Sequence, residues 1–367
     1  MEKTMKKILT FNFIALILIG ALGISAAAQN SSPTLLKRTV NVSVKRYLRW
    51  WKTPTAAEPV YNTYSWVPQI NFDVLGAIPA GGQLYAEFDT ADGKPWISYK
   101  MLTHELEDDV QENIRIENSI SDEELEKKAI VTEGVFPFRI RLKSGGADRI
   151  LFTGKYRVGT YALDQKIPEY KGKKDFYFDF DWQIPFAYLW LNPQNSNQNM
   201  PWVSSLTCFR GASENTKMEA VLFYNGKEIS KSGVDTANRV KQTMTSAADE
   251  PAYRWMMWQF EFSNVRGFNL DRNSANNTSA FFFLDKNPGE YEIKISRDGQ
   301  PARLLKFTVG KDGKIVDNGV KDKNQIGGVR MIFSVSVLGT ADGKWNAAAW
   351  RTDALYGNPL IGFTAIQ

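Results

Sequence analysis

The chain contains one cysteine, Cys208, and one histidine, His104, in 367 residues. A single thiol excludes an intramolecular disulfide, and one His with one Cys is too small a ligand set for a typical zinc site. A Cys–His dyad would need two distant segments to meet. Cys208 instead lies in the apolar-leaning run Leu206-Thr207-Cys208-Phe209, which reads as a strand carrying a buried structural thiol. The sequence also lacks a Gly-x-Ser-x-Gly elbow, a phosphate loop and a dinucleotide fingerprint, so no cofactor is expected. Beyond the N-terminal region no apolar run is long enough to span a membrane as a helix. Charge is modest as well: the formal net charge is +5 and dispersed rather than gathered in one basic arm, which argues against nucleic acid as a partner.

Aromatic residues, in contrast, are abundant. They make up 13% of the chain, with 11 Trp and 22 Phe, and this favours strands with bulky side chains between sheets. The N-terminus has the form of an export signal: Lys3, Lys6 and Lys7 precede the apolar run Ile8 to Ile24, and Ala26-Ala27-Ala28 offers small residues for cleavage. Residues 1–28 are therefore expected to be a signal peptide and the protein to be periplasmic or extracellular. Its removal takes away three lysines and Glu2 and lowers the formal charge to +3.

Two stretches organise the rest. In Phe281 to Ile315, Phe281 and Phe283, then Tyr291, Ile293 and Ile295, then Leu305, Phe307 and Val309 repeat with period two, the spacing that puts each set on one face of a strand. Asn287-Pro288-Gly289 and Asp298-Gly299 supply the turns. Gly134 to Gly159 echoes this pattern, with Phe136, Phe138 and Ile140 inward and Gly145-Gly146 at the turn. Lys155-Tyr156-Arg157-Val158-Gly159 also parallels Lys306-Phe307-Thr308-Val309-Gly310. On these two closing hairpins, and on Gly289-Glu290-Tyr291 as the setting of a tyrosine corner, the arrangement resembles immunoglobulin-like sandwiches of exported bacterial proteins.

The expected fold is accordingly all-β: two tandem antiparallel β-sandwich domains, immunoglobulin-like, with a short helical insertion in the first. An approach segment spans 29–60 and includes a candidate edge strand at Thr39 to Val44 and the basic, aromatic run Lys45 to Lys52. The first sandwich covers 61–165, with a hairpin turn at Thr90-Ala91-Asp92-Gly93-Lys94. A capping box at Ser121-Asp122-Glu123-Glu124 starts its helix. A polar linker follows at 166–175. The second sandwich, 176–318, opens with Phe176, Phe178, Phe180 and Trp182 and has an Asn225-Gly226 hairpin. Residues 319–367 repeat the Thr-Ala-Asp-Gly-Lys turn at 340–344 and are expected to be a C-terminal β-hairpin extension.

Carboxylates are the only plentiful catalytic material. Asp179 and Asp181, two apart on an expected strand, share a face and have the chemistry to bind Ca²⁺ or to supply a glycosidase acid. A solvated outer face is the preferred explanation, and no catalytic or metal-ligating residue is assigned. The tryptophans are the main ligand-binding candidates: Trp190, Trp202, Trp345 and Trp350 lie beside loop-like or turn segments, where flat rings can stack on sugars, although core packing uses the same residues. Two functions follow. One is an exported, non-enzymatic binding or assembly protein for a protein or surface-glycan partner. The other is carbohydrate binding or hydrolysis through exposed Trp and a carboxylate pair. The processed protein is expected to begin near Gln29; N-terminal sequencing that found Met1 retained on envelope-bound protein would show an uncleaved anchor instead.

Overall fold

Alternating apolar residues become strands almost throughout the computed structural model, which describes residues 33–51, 60–105, 111–116, 120–163, 165–166, 168–192, 201–213, 215–232, 240–244, 250–268 and 281–366. The expected signal peptide lies outside the described residues, so nothing structural attaches to that reading. The protein is mostly β, with short helices, as the aromatic and β-branched content predicts.

The first sheet has nine strands: β1 (Thr34–Leu35), β2 (Asn41–Trp51), β3 (Val60–Leu75), β4 (Gln83–Asp89), β5 (Pro95–Glu105), β6 (Gln111–Ile116), β7 (Gly134–Ser144), β8 (Ala147–Ala162) and β9 (Lys174–Phe178). Their order is β1-β3-β6-β5-β4-β7-β8-β9, with β2 also on β3. The sheet curls into a barrel-like form. It brings the Arg46 guanidinium of β2 to the Asp175 carboxylate of β9, and Trp66 of β3 against Phe176 of β9. Trp66 is fully buried and meets Phe136 and Trp96 edge-on, with centroids at 4.8 and 5.3 Å. The expected helix is present as α1 (Asp122–Lys128), capped by the Ser121 hydroxyl, which accepts from the Glu124 backbone N–H at 3.2 Å.

The second sheet has ten strands: β10 (Phe186–Asn192), β11 (Trp202–Arg210), β12 (Met218–Tyr224), β13 (Lys227–Ser232), β14 (Val240–Met244), β15 (Trp255–Arg266), β16 (Phe282–Phe283), β17 (Gly289–Arg297), β18 (Gln300–Val309) and β19 (Met331–Val337). The order is β13-β12-β17-β18-β19-β10-β11-β15-β14, with β16 on β15. β19 is shared: Met331 to Ser334 pair with β10, whereas Val335 to Val337 pair with β18. The two halves it joins bury one core, in which Leu189, Phe260 and Phe262 meet Ile293, Leu305 and Phe307. Both closing hairpins form in the expected register, and Asp298 and Gly299 take the positive φ values (49° and 78°) that a two-residue turn needs. The Tyr291 hydroxyl donates to the Asn287 carbonyl at 2.5 Å.

Two expectations about the division of the chain need correction. Lys174–Phe178 does not open the second unit; as β9 it pairs with β8, and Phe178 stacks on Tyr156 at 5.5 Å inside the first core. Residues 319–367 do not form a β-hairpin. After the short helix α2 (Val320–Lys323) they give one interior strand, β19, and then a run of turns. Those turns carry Ala349, Ala354, Leu355, Tyr356, Leu360 and Phe363 into the first core instead of back along the second sheet. Tyr356 packs on Phe138, Phe178 and Trp182, and its hydroxyl accepts from the Val42 backbone N–H at 2.8 Å. Leu355 and Tyr356 both adopt left-handed conformations (φ 45° and 59°), a costly backbone that this packing holds in place.

β17 gives a direct test of the second core. Ile293 is fully buried and Lys294, its neighbour, is exposed on the opposite face. Ile293→Asp is expected to destabilise the protein by on the order of 3–5 kcal/mol, because an unpaired carboxylate loses its hydration, whereas Lys294→Ser should change stability by about 1 kcal/mol or less. Urea unfolding of both variants checks this, and equal effects would show that the strand is not half-buried.

Candidate functional site

A buried polar network fixes the region where the two sheets and the C-terminal turns meet. The register shift in the β17–β18 pair falls between Pro301 and Arg303, and Ala302 and Arg303 are both buried. The Arg303 guanidinium donates to both Asp342 oxygens, at 2.6 and 2.8 Å, and to the Cys208 carbonyl at 2.9 Å, with Phe209 stacked 4.2 Å from its central carbon. Asp342 Oδ1 also accepts from the Arg210 backbone N–H at 2.9 Å. Arg297 adds donors to the carbonyls of Arg210, Gly211 and Ala341. The second Thr-Ala-Asp-Gly-Lys turn is thus held from the inside, whereas Asp92 of its copy at 90–94 is exposed and pairs with Lys94 in water.

Beyond that turn lies the carboxylate pair. Asp179 and Asp181 are not side by side on a strand, and Asp181 does not face solvent: β9 ends at Phe178, and Asp181 enters a short 3-10 turn with its side chain buried. Its oxygens accept from Trp255 Nε1 at 3.1 Å and from the Asn346 backbone N–H at 2.7 Å, with Arg210 at 3.5 Å. Asp179 Oδ1 accepts from the Asp181 backbone N–H at 2.9 Å. Burial, and then the Asp181 charge, push Asp179 up to about 6. Burial also raises Asp181, against the pull of the Asn346 N–H and Arg210. Arg210 lies over Trp255 and Tyr253, at 5.0 and 5.7 Å from the ring centroids, and Tyr253 stacks on Tyr161 and meets Tyr177 at a tilt. Asp181 is committed to fixing neighbouring elements, so the pair has the character of a structural staple.

Of the four candidate tryptophans the structure brings two together. Trp345 and Trp350 line a cleft of about 750 Å³ with Pro185, Val337, Arg351 and Thr364. Trp350 meets Phe363 edge-on at 5.2 Å, and the Arg351 guanidinium lies 5.2 Å from the Trp350 ring centroid. Aliphatic side chains make up most of the remaining wall, and Arg351 and Thr364 are its polar side chains apart from the indoles. Trp190 is elsewhere, buried on β10 beneath Arg330. Trp202 starts β11 with Arg266 over its ring at 5.6 Å. Sequence reasoning did not single out Arg351 or the C-terminal residues 364–366 as cleft walls. The usable signal was two tryptophans five residues apart, separated by small residues, in a segment rich in turn formers.

The remaining candidates carry little chemistry. Cys208 is buried, and burial pushes its thiol well up from the ordinary value. The His104 side chain lies outside the described residues. Among the described residues no group of three or more His, Cys, Asp or Glu is placed to hold a metal ion. The sequence matches no protein-family model and no curated protein sequence.

The raised Asp179 carboxyl makes stability depend on pH with a definite sign. Between the ordinary carboxylate value and about 6 the folded state holds the proton and the unfolded chain does not, so stability falls as pH rises through that window and is flat above it. Asp179→Asn keeps the oxygen that accepts from Asp181 and removes the titration. The variant is expected to match the parent near pH 4 and to exceed it by about 1–2 kcal/mol at pH 7, a figure discounted for partial solvent screening. Urea unfolding at both pH values reads the difference; a gap that is the same at both would mean that Asp179 does not titrate in this range.

Proposed function

We propose that this is an exported, non-enzymatic binding or assembly protein, made of two tandem immunoglobulin-like sandwiches, that takes an apolar side chain of a protein partner into the Trp345–Trp350 cleft. The observation that carries the reading is the composition of that cleft. Two indoles and mostly aliphatic side chains make the lining more apolar than polar, the kind of surface that receives an anchor residue at a protein interface. Sugar recognition uses a ring platform as well, but it also needs several fixed donors and acceptors for hydroxyl groups, and here Arg351 and Thr364 are nearly alone in that role. The tandem-sandwich reading is supported by the paired closing hairpins, by the core shared between the two halves of the second sheet, and by the Tyr291–Asn287 hydrogen bond at the expected corner.

Carbohydrate binding is the second reading, favoured by the same two rings. Displayed random peptides and a glycan array, each probed with the parent and with Trp345→Ala and Trp350→Ala, separate the two. Enrichment of peptides with a shared aromatic or aliphatic anchor, weakened at least tenfold in both variants, is the expected result. Saturable glycan binding lost in the same variants, with no peptide enrichment, would replace it with the second reading.

A further inference from the structure

Two arginines lie by the Tyr188–Trp190 face of β10, and neither lines the Trp345–Trp350 cleft. Arg38 sits in the 3-10 turn Lys37–Thr39, and its Nε donates to the Gly327 carbonyl at 3.2 Å. Arg330 directly precedes β19, and its guanidinium lies 4.7 Å from the centroid of the buried Trp190 ring. The turn that carries both contacts is shaped for them. Gly327 and Gly328 take consecutive left-handed conformations (φ 68° and 62°), and a Cβ at Gly328 would run into the Arg38 guanidinium. Tyr188, buried two residues from Trp190 on the same face of β10, feels both charges.

Neither arginine forms an ion pair among the described residues; Asp73 acts on Arg38 only at longer range. Both are withdrawn from water, which pushes both guanidinium values down, and the Arg38 charge pushes Arg330 further in the same direction. Neither loses its proton at neutral pH, so two like charges remain half-buried beside aromatic rings. Among the described residues each guanidinium has more N–H donors than acceptors: Arg38 uses its Nε, and Arg330 contributes a ring contact. An arrangement of this kind lacks one thing, an acceptor with negative charge and more than one oxygen, the geometry that a guanidinium fork matches bidentately.

We propose that Arg38 and Arg330, over a floor of Trp190 and Tyr188, form a binding site for the oxyanion group of a ligand: phosphate, sulfate or carboxylate. The site is independent of the Trp345–Trp350 cleft, and either can fail without the other.

The test is calorimetric titration of the folded full chain, as processed by its host, with inorganic phosphate, sulfate and acetate at an ionic strength held constant with NaCl. The parent is expected to bind at least one of them saturably, with Arg330→Gln weakening that binding at least tenfold and Arg330→Lys, which keeps the charge but loses the fork, weakening it to a lesser degree. A preference for phosphate or sulfate would assign a tetrahedral group, and a preference for acetate a carboxylate. Arg330→Met, which keeps a flexible apolar chain over Trp190, is expected to melt no lower than the parent in anion-free buffer and to gain nothing from phosphate. Two outcomes would overturn the proposal: no saturable binding by the parent, or equal binding by the parent and Arg330→Gln. A lower melting temperature for Arg330→Met with unchanged anion binding would also overturn it, by showing that the arginine is only a packing element.

Discussion

The contact between Arg303 and Asp342 is the interaction from which the arrangement of the second half follows. A bidentate pair with both side chains out of water is a poor source of net stability, because the desolvation of two ions offsets most of their attraction. Its role is to select one arrangement. Removing one partner alone would leave a buried charge, at a cost of about 3–5 kcal/mol, so alternative placements of the 340–344 turn are disfavoured by that amount. Because Asp342 also accepts from the Arg210 backbone and Arg303 also donates to Cys208, the pair fastens β18, β11 and the turn at a single point. Asn346, four residues on, then reaches Asp181, and the cleft tryptophans follow within the same short segment. The position of the apolar cleft therefore depends on a polar contact that lines none of it.

β10 shows how one strand can serve two cores. Its sequence, Phe186-Ala187-Tyr188-Leu189-Trp190-Leu191, is continuously apolar rather than alternating, as expected for a strand covered on both faces. Ala187 and Leu189 pack into the second core, whereas Phe186, Tyr188 and Trp190 belong to the first. The small and branched residues face the second core, and at the seam on the other face Phe186 meets Trp182 of the 3-10 turn and Phe363 of the C-terminal turns. The same split continues across β15, where Trp255 and Met257 face the seam and Met256 and Phe260 the second core. Trp182, Trp190 and Trp255 fill this seam, Trp66 and Trp96 pack elsewhere in the first core, Trp258 lies in the second, and among the described residues Trp345 and Trp350 line the cleft.

Much of the strand pattern was legible because it is local. Period-two runs such as Phe136, Phe138 and Ile140 are buried as read, and Asn225-Gly226 and Asp298-Gly299 turn the chain as their backbone freedom predicts. What was not legible depends on partners far away in sequence. Phe176 and Phe178 looked like the start of a new unit because alternation says which face is apolar and nothing about which sheet accepts the strand. Asp181 looked like a solvated residue because its partners, Trp255 and Asn346, lie 74 and 165 positions away. The Thr-Ala-Asp-Gly-Lys repeat was misleading for the same reason: identical words make an exposed hairpin turn at 90–94 and a buried staple at 340–344, and the difference is Arg303. The cleft was half legible, in that two of its walls were named as separate candidates and their meeting was not foreseen.

The hydrogen bond between the Tyr356 hydroxyl and the Val42 backbone joins positions 314 residues apart, and the side chains around it complete the core of the first sheet. That core cannot close when its own strands have paired, because part of its filling comes from a segment that follows the entire second sheet. Folding of this protein is thus dominated by contacts of long sequence separation, whose loop-closure entropy must be met before the contacts reward it. Until that segment arrives, the faces of Phe138, Phe178 and Trp182 that Tyr356 covers have no partner from it. The two sheets are separate in their strand pairing yet coupled in assembly, and cutting the chain between them would leave the earlier half without its closing segment.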